Sequence, residues 1–487
     1  MQETYKQLVQ SHFEEFAEKL DRWRKRNLYY YKDLEKLHQF LITSDSTVLE
    51  IGCGTGDLLA ATNPKLGVGI DFSENVVAIA QKKYPDLKFY NFDAEKIKPE
   101  HFSIQYFDYI ILSGTLGYLS DIQSVLEALR SFCHPQTRII ISFHNYLWEP
   151  LLWFAEKIGQ RRPQPPQNWI AMPDILSLLE ITGYIPVKQS KRFLFPKNIP
   201  VLSQIINQFV CHLPLIEQLC LTHYVVARKR FTGSKNIPQQ LLTSALPSVT
   251  IVVPTRNESG NIKSILNRIP PLGNHTEVIF VEGNSTDNTW ETIQTEIANC
   301  PDNPQFSYKT LQQKGKGKGD AVRLGFSYAK GDILMILDAD LTVTPESLPK
   351  FLKVIASGSG EFINGSRLVY PRSDVAMPWL NTLANKFFAS LFSFLLDQRL
   401  KDTLCGTKVL WRRDYERIVE QRHYFGDFDP FGDFDLLFGA AKLNLHIVEV
   451  PIRYQPRTYG SSNIAHFREG IVLLKMCFYA ARKIRFL

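Results

Sequence analysis

At 487 residues the chain exceeds one ordinary hydrophobic core and is expected to form two or more domains. With 44% hydrophobic and 22% charged residues it is not a disordered chain; its net charge of +7 is too weak to indicate nucleic acid, although it suits anionic small substrates or an acidic membrane surface. Seven scattered cysteines with no CxxC pair exclude a disulfide scaffold or zinc ribbon and favour a reducing compartment. The N-terminus is charged and helix-patterned, unlike a signal peptide. No window holds the roughly eighteen apolar residues of a spanning helix. The closest are 387–396, which is short, and 199–216, which is diluted by polar residues. These features predict a cytoplasmic protein, at most peripheral to the inner face of a membrane.

In chain order, helices are predicted at 3–26 and 29–42, rich in aromatic residues, ahead of an alternating series. That series runs strand 47–51, helix 57–62, strand 66–70, helix 73–83, strands 87–90 and 107–112, helix 120–131 and strand 137–142. A helix from Asp174, a strand IPVKQS and a last strand at 222–229 close the first half. Alternation at this spacing predicts an α/β fold, doubly wound around a mostly parallel sheet. The polar stretch at 232–246 reads as a linker, which divides the chain into domains at 1–231 and 247–487.

The first strand runs into GCGTGD, where Gly52, Gly54 and Gly56 leave room for a ligand lying over the loop. A tight turn without a ligand explains a lone GxGxG equally well. The second strand, however, ends in Asp71, nineteen residues after Gly52, where a carboxylate can accept both ribose hydroxyls. Asp93 follows the third strand at the same edge. Gly56 falls one residue early for the dinucleotide fingerprint, which disfavours a pyrophosphate on the helix N-terminus.

VLEIGCGTGD, GVGIDFS and FDYIILSGTLGYLSD together resemble class I S-adenosylmethionine-dependent methyltransferases over about residues 40–230. The resemblance implies a seven-stranded Rossmann-like sheet with an antiparallel last strand. It implies Glu50, Gly52, Cys53 and Gly54 on the methionine side of S-adenosylmethionine, with Gly56 completing the loop. Asp71 would take the ribose, Asp93 the adenine amino group, and Ser113 would lie beside the sulfonium. His144 is a possible base, the aromatic N-terminal segment a lid or a packed helix, and RRPQPPQNWI a wall of the acceptor pocket.

The second half opens with SVTIVVPTRNE, a strand and turn after which Asn257 and Glu258 are expected to cap a helix. The next strand ends in Glu282, and a strand at 306–311 precedes the loop QKGKGKGDAVRLG, whose Lys316, Lys318 and Arg323 can reach phosphate oxygens. The apolar run ILMIL then ends in Asp338 and Asp340. Two carboxylates this close repel unless a cation or a strong donor lies between them. A nucleoside diphosphate with a divalent cation satisfies all these groups at the carboxyl ends of parallel strands.

PTRNE, GKGKGDAVRLG, LDADLTVTPE, INGSRL, DTLCGTKVLWRRD, FGDFDLLFGAAK and VEVPIRYQPRTYGSSN together resemble the family 2 glycosyltransferases of the GT-A fold, nearest the dolichyl-phosphate mannose synthase group. The resemblance implies that Pro254, Arg256, Glu258 and Glu282 contact the nucleoside, with Lys318 at the phosphates. Asp338 and Asp340 would be the catalytic pair holding Mg²⁺ or Mn²⁺, and Arg367 would face acceptor or phosphates. Arg457 and Ser461 would lie on a loop closing over the site. Glu282 stands where many relatives have an Asp pair, and Thr342 where some have a metal-binding glutamine. A polyprenyl phosphate acceptor is already anionic and needs no base; for a sugar hydroxyl, Asp433 or Asp435 is the place to look.

The segment 376–397 has helical apolar spacing, and the terminal segment carries Lys475, Arg482, Lys483 and Arg485, so both could meet an anionic bilayer. The sequence thus predicts a bifunctional enzyme. It would transfer a sugar from a nucleotide-sugar donor with inversion, to a polyprenyl phosphate, and a methyl group from S-adenosylmethionine. The alternative is direct extension of a polysaccharide, with the first half a binding or scaffold module.

Overall fold

The computed structural model describes residues 2–231, 246–370, 379–422, 433–457, 459–460 and 474–485. The chain forms two compact units, Met1–Phe231 and Thr232–Arg485. The stretch 232–246 expected as a linker lies, but for Leu246, outside the described residues.

The first unit is built on seven strands: β1 (Thr47–Ile51), β2 (Leu66–Asp71), β3 (Lys88–Asn91), β4 (Phe107–Ser113), β5 (Cys133–His144), β6 (Tyr184–Arg192) and β7 (Thr222–Lys229). Their order is β3-β2-β1-β4-β5-β7-β6, and β7 runs antiparallel to both β5 and β6. The apolar runs form strands because both faces are covered: Val48, Leu49 and Ile51 in β1 and Ile110, Ile111 and Leu112 in β4 are fully buried. Each such side chain contributes roughly 1.5–3 kcal/mol by leaving water. Glu50 is the exception, a carboxylate only 3% exposed within a core strand.

The single N-terminal helix expected over 3–26 is instead two, α1 (Gln2–Phe16) and α2 (Leu20–Arg26), joined by a 3₁₀ turn at Ala17–Lys19 and followed by α3 (Leu28–Leu41). The breaks turn Phe13, Trp23 and Tyr31 toward one cavity, which a straight rod could not do. After α4 (Asp57–Ala61), α5 (Glu74–Lys83) and α6 (Ile122–Leu129) come two helices the apolar pattern did not reveal, α7 (Glu149–Lys157) and α9 (Leu202–Gln208), on either side of α8 (Met172–Ile181). α7 buries none of its residues and so carries no core-facing period.

The second unit orders its strands β10-β9-β8-β11-β13-β12-β14. They are β8 (Val249–Thr255), β9 (Thr276–Glu282), β10 (Phe306–Gln312), β11 (Ile333–Ile336), β12 (Phe362–Ser366), β13 (Lys408–Trp411) and β14 (Ile447–Pro451), with β13 antiparallel to its neighbours β11 and β12. Helices α10 (Ser259–Arg268), α11 (Thr289–Ala298), α12 (Lys318–Tyr328), α13 (Leu348–Ala356), α14 (Trp379–Leu396), α15 (Arg412–Glu420) and α16 (Asp433–Lys442) complete it. The structure thus holds two mixed seven-stranded α/β sheets. No helix among the described residues is long and apolar enough to cross a membrane.

The expected cap on α10 is corrected: Glu258 occupies the N-cap position but makes no side-chain cap bond. Its carboxylate is drawn away to Asn261 and Arg457, and Asn257 instead accepts from the Thr286 backbone N–H at 2.8 Å. In both sheets the order reverses beside the central strand, next to β4 in the first and β11 in the second, where open α/β sheets leave a crevice for ligands.

Candidate functional sites

In the first unit the crevice opens into a cavity of about 240 Å³. Glu50, Gly52, Cys53, Gly54, Asp71, Asp93 and Ser113 all line it, so residues 63 positions apart in sequence meet at one place. The three loop glycines do different work. A Cβ on Gly52 would lie 2.6 Å from Thr115 Oγ1, and one on Gly56 2.6 Å from the Phe89 ring. Those two make room for protein neighbours; Gly52 still borders the cavity through its backbone, whereas Gly56 is not among the lining residues. Only the Cβ position of Gly54, at φ +52°, has no protein atom within 4 Å.

Asp71 steadies this loop by accepting from the Gly54 N–H at 3.0 Å and the Ser73 N–H at 3.1 Å. Burial raises its carboxyl above the usual range against those bonds. Glu50 is more extreme: burial pushes it up to about 8, and its Oε2 is buried without a hydrogen-bond partner. A buried carboxyl group with one unpartnered oxygen, lining a cavity, suits a cationic ligand that would draw it into its ionised form. Cys53 is also raised by burial and so remains a thiol. Ser113 accepts from Ser142 Oγ at 2.9 Å at the end of β4.

The N-terminal helices wall the cavity with Phe13, Leu20, Trp23 and Tyr31. Lys6 was not singled out in the sequence. It bonds Asp93 Oδ2 and Glu95 at 2.7 Å each, so the carboxylate expected at the adenine is already held by α1. Only the pairing in space could reveal Lys6, because nothing local marks it among other helix lysines. His144 lines a smaller neighbouring cavity with Gln167, Asn168 and Trp169 and lies 3.0 Å from Tyr30 Oη. Burial lowers it to about 3, which leaves it neutral and a weak proton acceptor.

In the second unit, Asp338 and Asp340 lie in the turn beyond β11. Each has its own cation. Lys318, the first residue of α12, sits 2.6 Å from Asp338 Oδ1. Arg457 reaches Asp340 Oδ2 at 2.9 Å and Glu258 Oε1 at 2.6 Å. Burial pushes the Asp338 carboxyl up, and Lys318, with Lys408 and Arg367 behind it, outweighs this and holds it below the usual value. Burial raises Glu258 despite Arg457. Thr342 donates its N–H and its hydroxyl to Asp340 Oδ1, at 3.1 and 2.8 Å, and so aims the other oxygen at the crevice.

Gly406 escaped the sequence reading as a site residue. A Cβ there would fall onto Asp338 Oδ2 and Lys318 Nζ, so the floor of the site is bare backbone. Glu282, 4% exposed at the end of β9, accepts from the Ser285 N–H at 2.5 Å. Pro254 is half-buried in β8 and Arg256 exposed just beyond it.

Two expected contacts are engaged elsewhere. Arg367 is clamped by Asp402, through Nε at 2.7 Å and Nη2 at 2.9 Å, with its face on the Tyr454 ring. Asp435 on α16 is paired with Arg422 at 3.0 Å. Ser461 lies outside the described residues.

Residues 49–139 match the family described as "Methyltransferase domain", and residues 250–419 match "Glycosyl transferase family 2". The chain is 29% identical over 223 residues to the dolichol-phosphate mannosyltransferase of Pyrococcus furiosus, which covers 44% of this chain and 59% of that protein. It thus spans little more than half of that relative's length. It is 30% identical over 228 residues to the dolichyl-phosphate hexose transferase of Haloferax volcanii, covering 47% of this chain and 91% of that protein. A solved SAM-dependent methyltransferase from Thermotoga maritima aligns at 14% identity and TM-score 0.36, covering 46% of this chain and 100% of that chain. The chain is an enzyme that belongs to the family 2 glycosyltransferases and carries, ahead of that domain, a methyltransferase domain.

Proposed function

We propose that the second unit transfers a sugar, with inversion, from a nucleotide-diphosphate sugar to a polyprenyl phosphate. The observation that carries this reading is the gathering of Glu258, Asp338 and Asp340 from two strand ends onto one rim, with Lys318 and Arg457 among them. The dolichyl-phosphate acceptors named for two relatives favour the lipid acceptor.

Hard carboxylate oxygens beside a glycine floor fit Mg²⁺ or Mn²⁺, which takes one or two carboxylates plus substrate phosphates. Asp338 and Asp340 would hold the ion, which when bound stabilises negative charge on the departing diphosphate. Thr342 keeps Asp340 oriented throughout. Glu282 and Arg256 border the nucleoside, and Lys318 and Arg457 supply donors to phosphate oxygens. A phosphate acceptor brings its own anionic oxygen, so no residue need remove a proton, in keeping with the engagement of Asp435 by Arg422.

The first unit would transfer a methyl group from S-adenosylmethionine. Glu50 would meet the donor's ammonium, Asp71 its ribose and Ser113 the reacting end, while the N-terminal helices exclude water. Incubation with labelled nucleotide sugars, polyprenyl phosphate and Mn²⁺ tests the first activity. The expected result is label extracted into organic solvent. Label appearing only in water-soluble polymer would replace the lipid acceptor with a growing polysaccharide.

A further inference from the structure

The first unit has an apolar outer surface that its own core does not use. Of the 27 large hydrophobic residues exposed among the described residues, 14 fall in just two segments, 146–158 and 199–219. Trp153, Phe154 and Ile158 of the first are each more than half exposed, at 59%, 56% and 54%. Val201, Phe209 and Leu215 of the second reach 65%, 53% and 84%. Both segments are insertions at the same end of the sheet, one after β5 and the other between β6 and β7. They are stitched into one surface: Trp148 Nε1 donates to the Leu219 carbonyl at 2.7 Å, Asn145 Nδ2 to that of Gln218 at 2.8 Å, and Lys197 to Gln160 at 2.7 Å. Soluble monomers rarely leave so many large apolar groups contiguous in water.

The charge pattern says what covers it. Residues 198–216 contain no Asp, Glu, Lys or Arg. Around the apolar centre, over 146–162 and 191–221, six Lys and Arg stand against three Glu. Arg161 matches Glu156, Lys191 matches Glu217 at 3.8 Å, Arg192 pairs with Asp33 at 2.6 Å and Arg162 lines the cavity, which leaves Lys157 and Lys197 against the exposed Glu149. Lys157 and Lys197 are exposed at the edge. An uncharged, aromatic-bearing centre with two exposed lysines at its margin is a composition suited to sinking into the headgroup layer of an anionic bilayer.

We propose that this face docks the methyltransferase unit on an anionic membrane surface. Its position gives the docking a purpose. α7 leads directly into the segment that walls both cavities, where Arg162 lines the larger and Gln167, Asn168 and Trp169 the smaller. That segment is tied to α1 and to the turn after β4, Tyr5 Oη donating to the Pro166 carbonyl at 2.9 Å and Tyr118 Oη to Gln164 at 2.6 Å. A methyl acceptor carried in a membrane would then meet the site at the lipid surface. The proposal stands apart from the identity of the sugar acceptor, because none of these residues belongs to the glycosyltransferase unit.

Hydrogen exchange of the full chain tests it, with vesicles of phosphatidylcholine plus phosphatidylglycerol and of phosphatidylcholine alone. The expected result is slowed exchange in peptides from 150–158 and 201–219, stronger with the anionic lipid. The combined substitution Trp153→Glu, Phe209→Glu and Leu215→Glu should lower vesicle partitioning on the order of tenfold or more. S-adenosylmethionine binding in that variant reports that the unit is folded, since all three side chains are exposed. Phe387→Glu, a change on an exposed residue of α14 in the other unit, should leave the protection in place. Vesicle binding without protection of these peptides, no vesicle binding, or unchanged partitioning of the triple variant overturns the proposal. So does equal protection on phosphatidylcholine alone. Protection that appears on raising protein concentration without vesicles assigns the face to a second copy instead.

Discussion

Arg457 Nη2 lies 2.9 Å from Asp340 Oδ2, and the same guanidinium holds Glu258, so an arginine 117 positions downstream fills the place beside the second aspartate. With Lys318 on Asp338, the close carboxylate pair is neutralised by two separate side chains. A divalent ion binding between the carboxylates would therefore have to compete with Arg457, and the arginine, once displaced, could donate to phosphate oxygens instead.

That competition predicts opposite effects of one substitution. Arg457→Gln should raise Mn²⁺ affinity without nucleotide by about three- to tenfold, because a partly exposed charge-assisted bond is removed. The same variant should bind the nucleotide sugar more weakly. Titration of Mn²⁺ by electron paramagnetic resonance, with and without nucleotide, reads both. Equal Mn²⁺ affinity in the two proteins would show that Arg457 and the ion do not share Asp340.

Gly406→Ala should cripple sugar transfer while leaving the fold largely intact. The new methyl group would push Asp338 and Lys318 from their positions. A displacement of about 1 Å near reacting groups costs roughly a hundredfold in rate. Turnover and a thermal melt measured together check this. Full activity would mean that the Asp338 carboxylate is not held where transfer requires it.

Glu50 predicts a pH dependence of methyl-donor binding. Raised to about 8 by burial, it is mostly protonated at neutral pH, and a cationic ligand favours its ionised form. Binding at pH 7 should release a proton, and affinity should rise with pH until about 8. In the free protein the sign is opposite. The folded state holds a proton that the unfolded chain has lost, so Glu50's contribution to stability falls as pH rises from the ordinary glutamate range to about 8. Calorimetry in buffers of different ionisation enthalpy detects the release. Glu50→Gln should abolish it and weaken binding by about tenfold or more. Proton release that persists in this variant would assign it to another group.

The glycine loop offers a separation of fold from ligand. Gly56→Ala places a methyl group against Phe89 at φ +80° and should cost about 1–3 kcal/mol of stability. Gly54→Ala meets no protein atom, so beyond its own backbone strain it should act on S-adenosylmethionine affinity. Thermal melts with and without the ligand distinguish the two. A Gly54→Ala protein that binds the donor as well as its parent would show that the ligand does not cross that point.

Much of this was legible in the sequence because the signals are local. Strands β1, β2 and β7 follow apolar runs with both faces buried, and the loop GCGTGD and the pair Asp338 and Asp340 sit at the ends of such runs. The pairings were not legible, because they join distant positions. Lys6 with Asp93, Arg367 with Asp402 and Asp435 with Arg422 each look, in sequence, like charges available to a ligand. α7 was hidden for the opposite reason. Its apolar residues point outward, so the period that marks a core-facing helix is missing.

The account of the glycosyltransferase unit is tested most directly by Mn²⁺ binding in the presence of a nucleoside diphosphate, compared between the parent protein and Asp338→Asn and Asp340→Asn. The account predicts a nucleotide-dependent Mn²⁺ site that either substitution weakens by at least about tenfold. Undiminished Mn²⁺ and nucleotide binding in both variants would contradict it.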